Sequence, residues 1–202
     1  MRKIFLPLIV LLFLSAPAWS ITGISIGAHV GQVTGFSYGA LTDSIAKMAS
    51  EYGWLKNKPN KSMMLIGGHA NMSFAKIIDV AGFADYAWKT TSLDSRVDLK
   101  LSDFSFGLTA TKKFGVPIAN PYIGAGLAWH RFVYSLETSS AGIIVVLPDN
   151  QTKLGYHVVG GLQLDIPMFP LAPYAEYRYN WINSEKKMTT FSILMVGLSL
   201  RF

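Results

Sequence analysis

Segment after segment, the chain sorts at a spacing of two residues into one apolar row and one small or polar row, the period of a β-strand. From Gly23 to Gly31, Ile24, Ile26, Ala28 and Val30 share a face opposite Gly23, Ser25, Gly27, His29 and Gly31. From Leu65 to Phe74, Ile66, Gly68, Ala70, Met72 and Phe74 oppose Gly67, His69, Asn71 and Ser73. From Ile77 to Thr90, Ile78, Val80, Ala84, Tyr86 and Trp88 oppose Asp79, Ala81, Phe83 and Asp85. Phe104, Phe106, Leu108 and Ala110 then oppose Ser105, Gly107, Thr109 and Thr111, and Ile123, Ala125, Leu127 and Trp129 oppose Tyr122, Gly124, Gly126 and His130. Leu154, Tyr156, Val158, Leu162 and Leu164 oppose Gly155, His157, Gly161, Gln163 and Asp165. Ala175, Tyr177, Tyr179 and Trp181 oppose Glu176, Arg178 and Asn180, and Leu194, Val196, Leu198, Leu200 and Phe202 oppose Ile193, Met195, Gly197, Ser199 and Arg201. Eight strands are predicted, each suited in length to a tilted membrane strand of ~9–11 residues. Val97, Leu99 and Leu101 have the opposite parity to the residues after them, which predicts a bulge near Ser102-Asp103 or a strand that starts late.

Alternation alone fits a soluble barrel as well as a membrane one. Three features choose the membrane. The polar row holds Gly, Ser, Thr, His and Asn with few charges, which suits a cramped interior better than a surface in water. Aromatic residues collect at strand ends on the apolar row (Phe74, Trp88, Trp129, Trp181 and Phe202), as interfacial girdles require. Short links at Ala75-Lys76, Lys112 to Asn120 and Pro167 to Pro173 alternate with longer or more polar ones at Val33 to Ser62, Thr91 to Asp98, Leu136 to Thr152 and Asn183 to Thr189. The expected fold is an all-β, closed, antiparallel, eight-stranded transmembrane barrel with both termini periplasmic.

The first residues read as an export signal. Arg2 and Lys3 precede an eleven-residue apolar stretch, Ile4 to Leu14, and Ala16-Pro17-Ala18-Trp19-Ser20 supplies small residues for cleavage. A cut after Ser20 is expected, with Ala18 as second choice, leaving residues 21–202 as one barrel domain. The apolar stretch is about half a bilayer span, too short for a helical anchor. Charged residues are 15% of the chain, below the ~25% of soluble domains. The formal charge is +6, and loss of Arg2 and Lys3 lowers it to +4, so the basic excess belongs mostly to the mature chain. With no cysteine, disulfides, thiolate metal sites and a lipoprotein anchor are excluded.

Gly197-Leu198-Ser199-Leu200-Arg201-Phe202 resembles the C-terminal signal that insertion machinery reads in outer-membrane barrels, with Gly197, Leu200 and Phe202 as its key positions. Pro121-Tyr122-Ile123-Gly124-Ala125-Gly126 and Pro173-Tyr174-Ala175-Glu176-Tyr177-Arg178-Tyr179 resemble the fifth and seventh strands of small barrels of the opacity-protein and OmpX-like superfamily. The resemblance implies an eight-stranded Gram-negative outer-membrane barrel. It does not fix a function, because that superfamily includes adhesins and immune-evasion proteins.

The inward row carries the candidate chemistry. His29, His69, His130 and His157 all fall on it. They could converge on a metal or a proton relay, yet no tight two-histidine spacing exists, and hydrogen-bonded imidazoles in a polar interior are the preferred reading. Asp79, Asp85, Asp165, Glu176, Arg178 and Arg201 are inward too. Buried charge must be paired, so these are expected to form salt bridges that plug the lumen and fix its register. An eight-stranded interior is just wide enough for its own side chains, which weighs against an ion path.

The first link has its own signature. Thr42 or Asp43 can cap a short helix with Ile45, Met48, Ala49 and Tyr52 as its apolar stripe, ending near Gly53. Lys47, Lys56, Lys58 and Lys61 make the region basic, suited to lipopolysaccharide phosphates or an acidic host surface, or else merely solvated around a lid. In the third link, Ile143-Ile144-Val145-Val146-Leu147 implies a hairpin extension or a contact patch. The leading expectation is a non-enzymatic surface protein, envelope-structural or adhesive, acting through external loops. Alternatives are a narrow channel for small or apolar solutes, then a lipid A-modifying enzyme. The last is weakened because Ser73 and His69 stand about 13 Å apart along an extended strand. No cofactor and no nucleic-acid partner are expected; the partners are outer-membrane lipid, lipopolysaccharide, the insertion machinery and host or envelope surface ligands.

Overall fold

The computed structural model describes residues 21–36, 62–74, 78–94, 97–115, 118–138, 150–183 and 189–202. Eight strands follow in chain order: β1 (Ile21–Thr34), β2 (Met63–Phe74), β3 (Ile78–Asp94), β4 (Val97–Lys113), β5 (Ala119–Thr138), β6 (Gln151–Leu164), β7 (Leu171–Ile182) and β8 (Thr189–Arg201). Each pairs antiparallel with the next, and β8 returns to β1 through Ser25↔Arg201 to Thr34↔Ser192, closing the barrel. Closure leaves no free sheet edge around the barrel wall, so backbone donors and acceptors are satisfied without water.

One rim carries the short links 75–77, 114–118 and 165–170, together with the start of β1 and the end of β8. The opposite rim, here called the long-link rim, carries the ends of β1 and β5 and the starts of β2 and β6. Between the rims the outward row is apolar and exposed: Ile26, Val30, Ile66, Leu108, Ile123, Leu127, Val158, Leu194 and Leu198 are all 44% exposed or more. Aromatic rings crowd its upper border. Tyr86 stacks on Trp88 at 5.7 Å, Phe106 on Trp129 at 5.4 Å, and Tyr179 meets Trp181 edge-on at 4.7 Å. Phe114, Phe169 and Phe202 stand exposed at the short-link rim.

Two expectations about β4 are overturned. Its pairing with β3 and β5 runs without interruption through Ser102 and Asp103, so no bulge lies there and the strand does not start late. Leu99 and Leu101 are 3% exposed, pointing into the barrel in phase with Asp103 and Ser105. The parity change is a change in what the interior is made of. The link expected from Thr91 to Asp98 shrinks likewise, because β3 continues to Asp94 and β4 begins at Val97. The pairing irregularity falls instead between Ser92 and Asp94.

The interior is thus layered. Toward the long-link rim it is an apolar core of Val33, Phe36, Met63, Leu65, Ala87, Leu99, Leu101, Phe132, Ile182, Phe191, Ile193 and Met195. Phe36 packs at 5.4 Å from both Phe132 and Phe191, bringing the end of β1 against β5 and β8. Below it the interior turns polar. The expected first-link helix and the Ile143–Leu147 run lie outside the described residues.

Candidate functional site: a polar lattice across the lumen

Arg178 on β7 is the hub of the lower layer. Its Nη1 donates to Asp85 Oδ2 on β3 at 2.9 Å, and its Nη2 donates to Glu176 Oε1 at 3.0 Å. The guanidinium also lies 4.0 Å over the Phe83 ring, a cation–π contact that covers its flat face. From this hub two arms reach the wall. Tyr122 on β5 donates its hydroxyl to Glu176 Oε2 at 2.9 Å. Asp85 Oδ1 lies 2.7 Å from His29 Nε2, and His29 Nδ1 lies 2.9 Å from the Tyr174 hydroxyl. That hydroxyl is also 3.2 Å from His69 Nδ1, and His69 Nε2 is 3.0 Å from Ser199 Oγ. The lattice therefore ties β1, β2, β3, β5, β7 and β8 together across the lumen.

Small residues make room for these rings. A Cβ at Gly67 would strike Asp85 Oδ1 and His29 Nε2, and one at Gly197 would strike the Tyr174 ring and the carbonyl of Ala28. Glycine on the inward row is what lets a large polar side chain cross from a neighbouring strand.

The remaining inward groups form separate contacts. His157 bonds through Nε2 to Thr109 Oγ1 at 2.8 Å and meets Phe83 edge-on. His130 Nδ1 contacts Asp103 Oδ2 at 2.8 Å inside the apolar layer, with the ring stacked on Phe132 and edge-on to Phe191. Asp79 pairs with Lys113 at 2.6 Å, and Asn71 donates to the same carboxylate. At the short-link rim Arg201 pairs with Asp165 at 2.9 Å, and Asn120 and Gln163 donate to that carboxylate as well. His29 and His69 stack 6.0 Å apart. Among the described residues, no group of three metal-ligating side chains converges.

Of the site residues expected from sequence, His29, His69, Asp85, Glu176 and Arg178 come together in one lattice. Asp79, Asp165, Arg201, His130 and His157 sit in contacts of their own. Lys47, Lys56, Lys58 and Lys61 lie outside the described residues. Gly197 backs Tyr174, Leu200 is on the outward row, and Phe202 donates its N–H to the Ile24 carbonyl at 2.9 Å. Tyr174 and Asp103 are lattice or pair members that the sequence reading left off the inward row, and Ser199 stood on that row without a role. The parity of Ala175 places Tyr174 inward, and an unbroken β4 places Asp103 inward, so period two held the signal for both.

The lower lattice surrounds a cavity of about 60 Å³ lined by residues including Asn71, Thr111, Lys113, Tyr122, Ser199 and Glu176. Above it the apolar layer fills the section. The arrangement ties the strands of the wall together across the lumen.

The sequence matches the outer membrane protein beta-barrel domain family over residues 6–202. The chain belongs to that family. It is an outer-membrane β-barrel, and its apolar outward row faces lipid. Among solved structures it is similar to Neisserial surface protein A, at 19% identity and TM-score 0.56 over 89% of this chain and 97% of that one. It is also similar to Ail, the attachment invasion locus protein of Yersinia pestis, in complex with the heparin analogue sucrose octasulfate. That likeness is 16% identity and TM-score 0.53 over 89% of this chain and 97% of Ail. These likenesses show the shared barrel fold. No match is found among curated protein sequences.

Proposed function

We propose that this outer-membrane barrel is a non-enzymatic surface protein, exported by cleavage after Ser20, whose lumen is a brace and whose partners meet its external links. The observation that carries this reading is the double obstruction of the lumen. Arg178 and its carboxylates span it, and an apolar layer of packed side chains seals it above. A path for ions or polar solutes would have to break both, at the cost of unpairing buried charge.

The surface role draws on charge. Lys47, Lys56, Lys58 and Lys61 cluster in the first link, a segment well beyond the ~12–15 residues above which loops are usually functional or disordered. Polyanions are the fitting partners: lipopolysaccharide phosphates or sulfated and acidic host surfaces. The structure of Ail with a heparin analogue shows that a protein of this fold is compatible with such a ligand. Gly197, Leu200 and Phe202 are proposed to address the chain to the insertion machinery. Planar-bilayer recording tests the closed lumen: the purified barrel should give almost no current, and reproducible unitary steps would overturn the reading in favour of a channel.

A further inference from the structure

We propose that three side-chain hydrogen bonds across the β1–β8 seam form a latch that selects the register in which the barrel closes. Every other pair of neighbouring strands is joined by a link, but β8 meets β1 from the far end of the chain. A slip of one residue there would turn an apolar row into the lumen and a polar row toward lipid, so the hydrophobic pattern excludes it. A slip of two keeps both rows on their faces. Lipid does not tell Val196 from Leu194 or Leu198, so the outward row makes no choice among even registers.

The inward row makes that choice through an alternation across strands. Tyr174 on β7, Gly197 on β8, His29 on β1, Gly67 on β2 and Asp85 on β3 lie in one line of paired positions. Large polar residues stand there on every second strand, and each bond passes over the glycine between them. Tyr174 crosses Gly197 to place its hydroxyl 2.9 Å from His29 Nδ1, and His29 crosses Gly67 to reach Asp85 at 2.7 Å. The adjacent line spans the seam from the other side: His69 on β2 crosses Gly27 on β1 to reach Ser199 on β8 at 3.0 Å. A Cβ at Gly27 would strike the His69 ring, and one at Gly197 the Tyr174 ring. The Tyr174 hydroxyl, 3.2 Å from His69 Nδ1, joins the two crossings.

Both crossings work in one register only. Tyr174 reaches the β1 residue that Gly197 faces, and His69 reaches the β8 residue that Gly27 faces. Shifting β8 by two residues in one direction sets Gly197 opposite Gly27, so each ring passes over a glycine and meets another glycine. Shifting it the other way sets Gly197 opposite Gly31 and Gly27 opposite Arg201. Tyr174 then loses its partner on β1, and Ser199 moves out of line with His69. Either slip forfeits the seam bonds and leaves polar groups of the lumen without them.

The test exploits a chain without cysteine. Val30 faces Val196 in the native register, and a slip of two brings it opposite Leu194 or Leu198. Val30→Cys is combined in turn with Val196→Cys, Leu194→Cys and Leu198→Cys, and disulfide formation is read in the folded, heat-modifiable band of the full barrel. Tyr174→Phe with Ser199→Ala removes the three seam bonds and keeps the aromatic ring. The ratio of slipped to native cross-links should then rise by about fivefold per hydrogen bond removed. Tyr122→Phe removes a bond between β5 and β7, away from the seam, and should leave the ratio at the parent value. A ratio unchanged by the two seam substitutions overturns the latch, and so does an equal rise in Tyr122→Phe. If the double variant gives no folded band, Ser199→Ala alone decides: a rise of about fivefold supports the latch and no rise overturns it.

Discussion

At the scale of single residues, the barrel depends on one guanidinium holding two acids away from water. Arg178 is 5% exposed and Asp85 is 2% exposed, so neither can recruit solvent if its partner is lost. Replacing Arg178 with Ala leaves Asp85 and Glu176 facing each other's charge and bares the face of Phe83. The expected loss is about 3–5 kcal/mol, read as a lower urea midpoint for the detergent-solubilised barrel and an earlier loss of the heat-modifiable band. An unchanged midpoint would mean that water already reaches this layer.

At the scale of the strand, what could be read from sequence followed from period two, and what could not followed from assuming one kind of interior. The outward rows of β3, β7 and β8 were legible because lipid demands apolar side chains at every second position. By parity Leu99 and Leu101 mimic a slip in register, because a wholly polar lumen would leave no place for them, whereas the upper lumen is a hydrophobic core. The lattice was legible in its charged members and its two histidines. Period two places Tyr174 and Ser199 inward, but their partners are set only once β7, β8 and β1 are wrapped around the same axis, a juxtaposition of residues far apart in sequence. The inward placement has a direct check. Leu101→Ala should cost about 2–5 kcal/mol by opening a cavity in the packed layer, whereas a lipid-facing leucine at a bulge would lose far less because acyl chains refill the space. Unfolding in urea distinguishes the two.

For the molecule as a whole, the proposed function divides support and recognition between barrel and links. Deleting Leu41 to Lys58 removes Lys47, Lys56 and Lys58 and no residue of β1 or β2. The variant should insert and migrate as a folded barrel yet lose binding to sulfated polysaccharide or lipopolysaccharide. Salt should weaken parent binding as the Debye length falls from ~10 Å at 0.1 M to ~3 Å at 1 M. Undiminished binding by the deletion variant would place recognition elsewhere. The apolar layer also bears on the journey before insertion. Because Phe191, Ile193 and Met195 face inward while Leu194, Val196 and Leu198 face lipid, β8 is hydrophobic on both sides through its upper half. No charged residue interrupts it from Phe191 to Leu200. In water such a stretch has no polar face to show, and it carries the composition of an aggregation-prone segment. The packing that seals the finished barrel thus makes its last strand the part most in need of an escort across the periplasm. Ile193→Thr should stay soluble longer on dilution from urea, while giving a barrel of lower final stability.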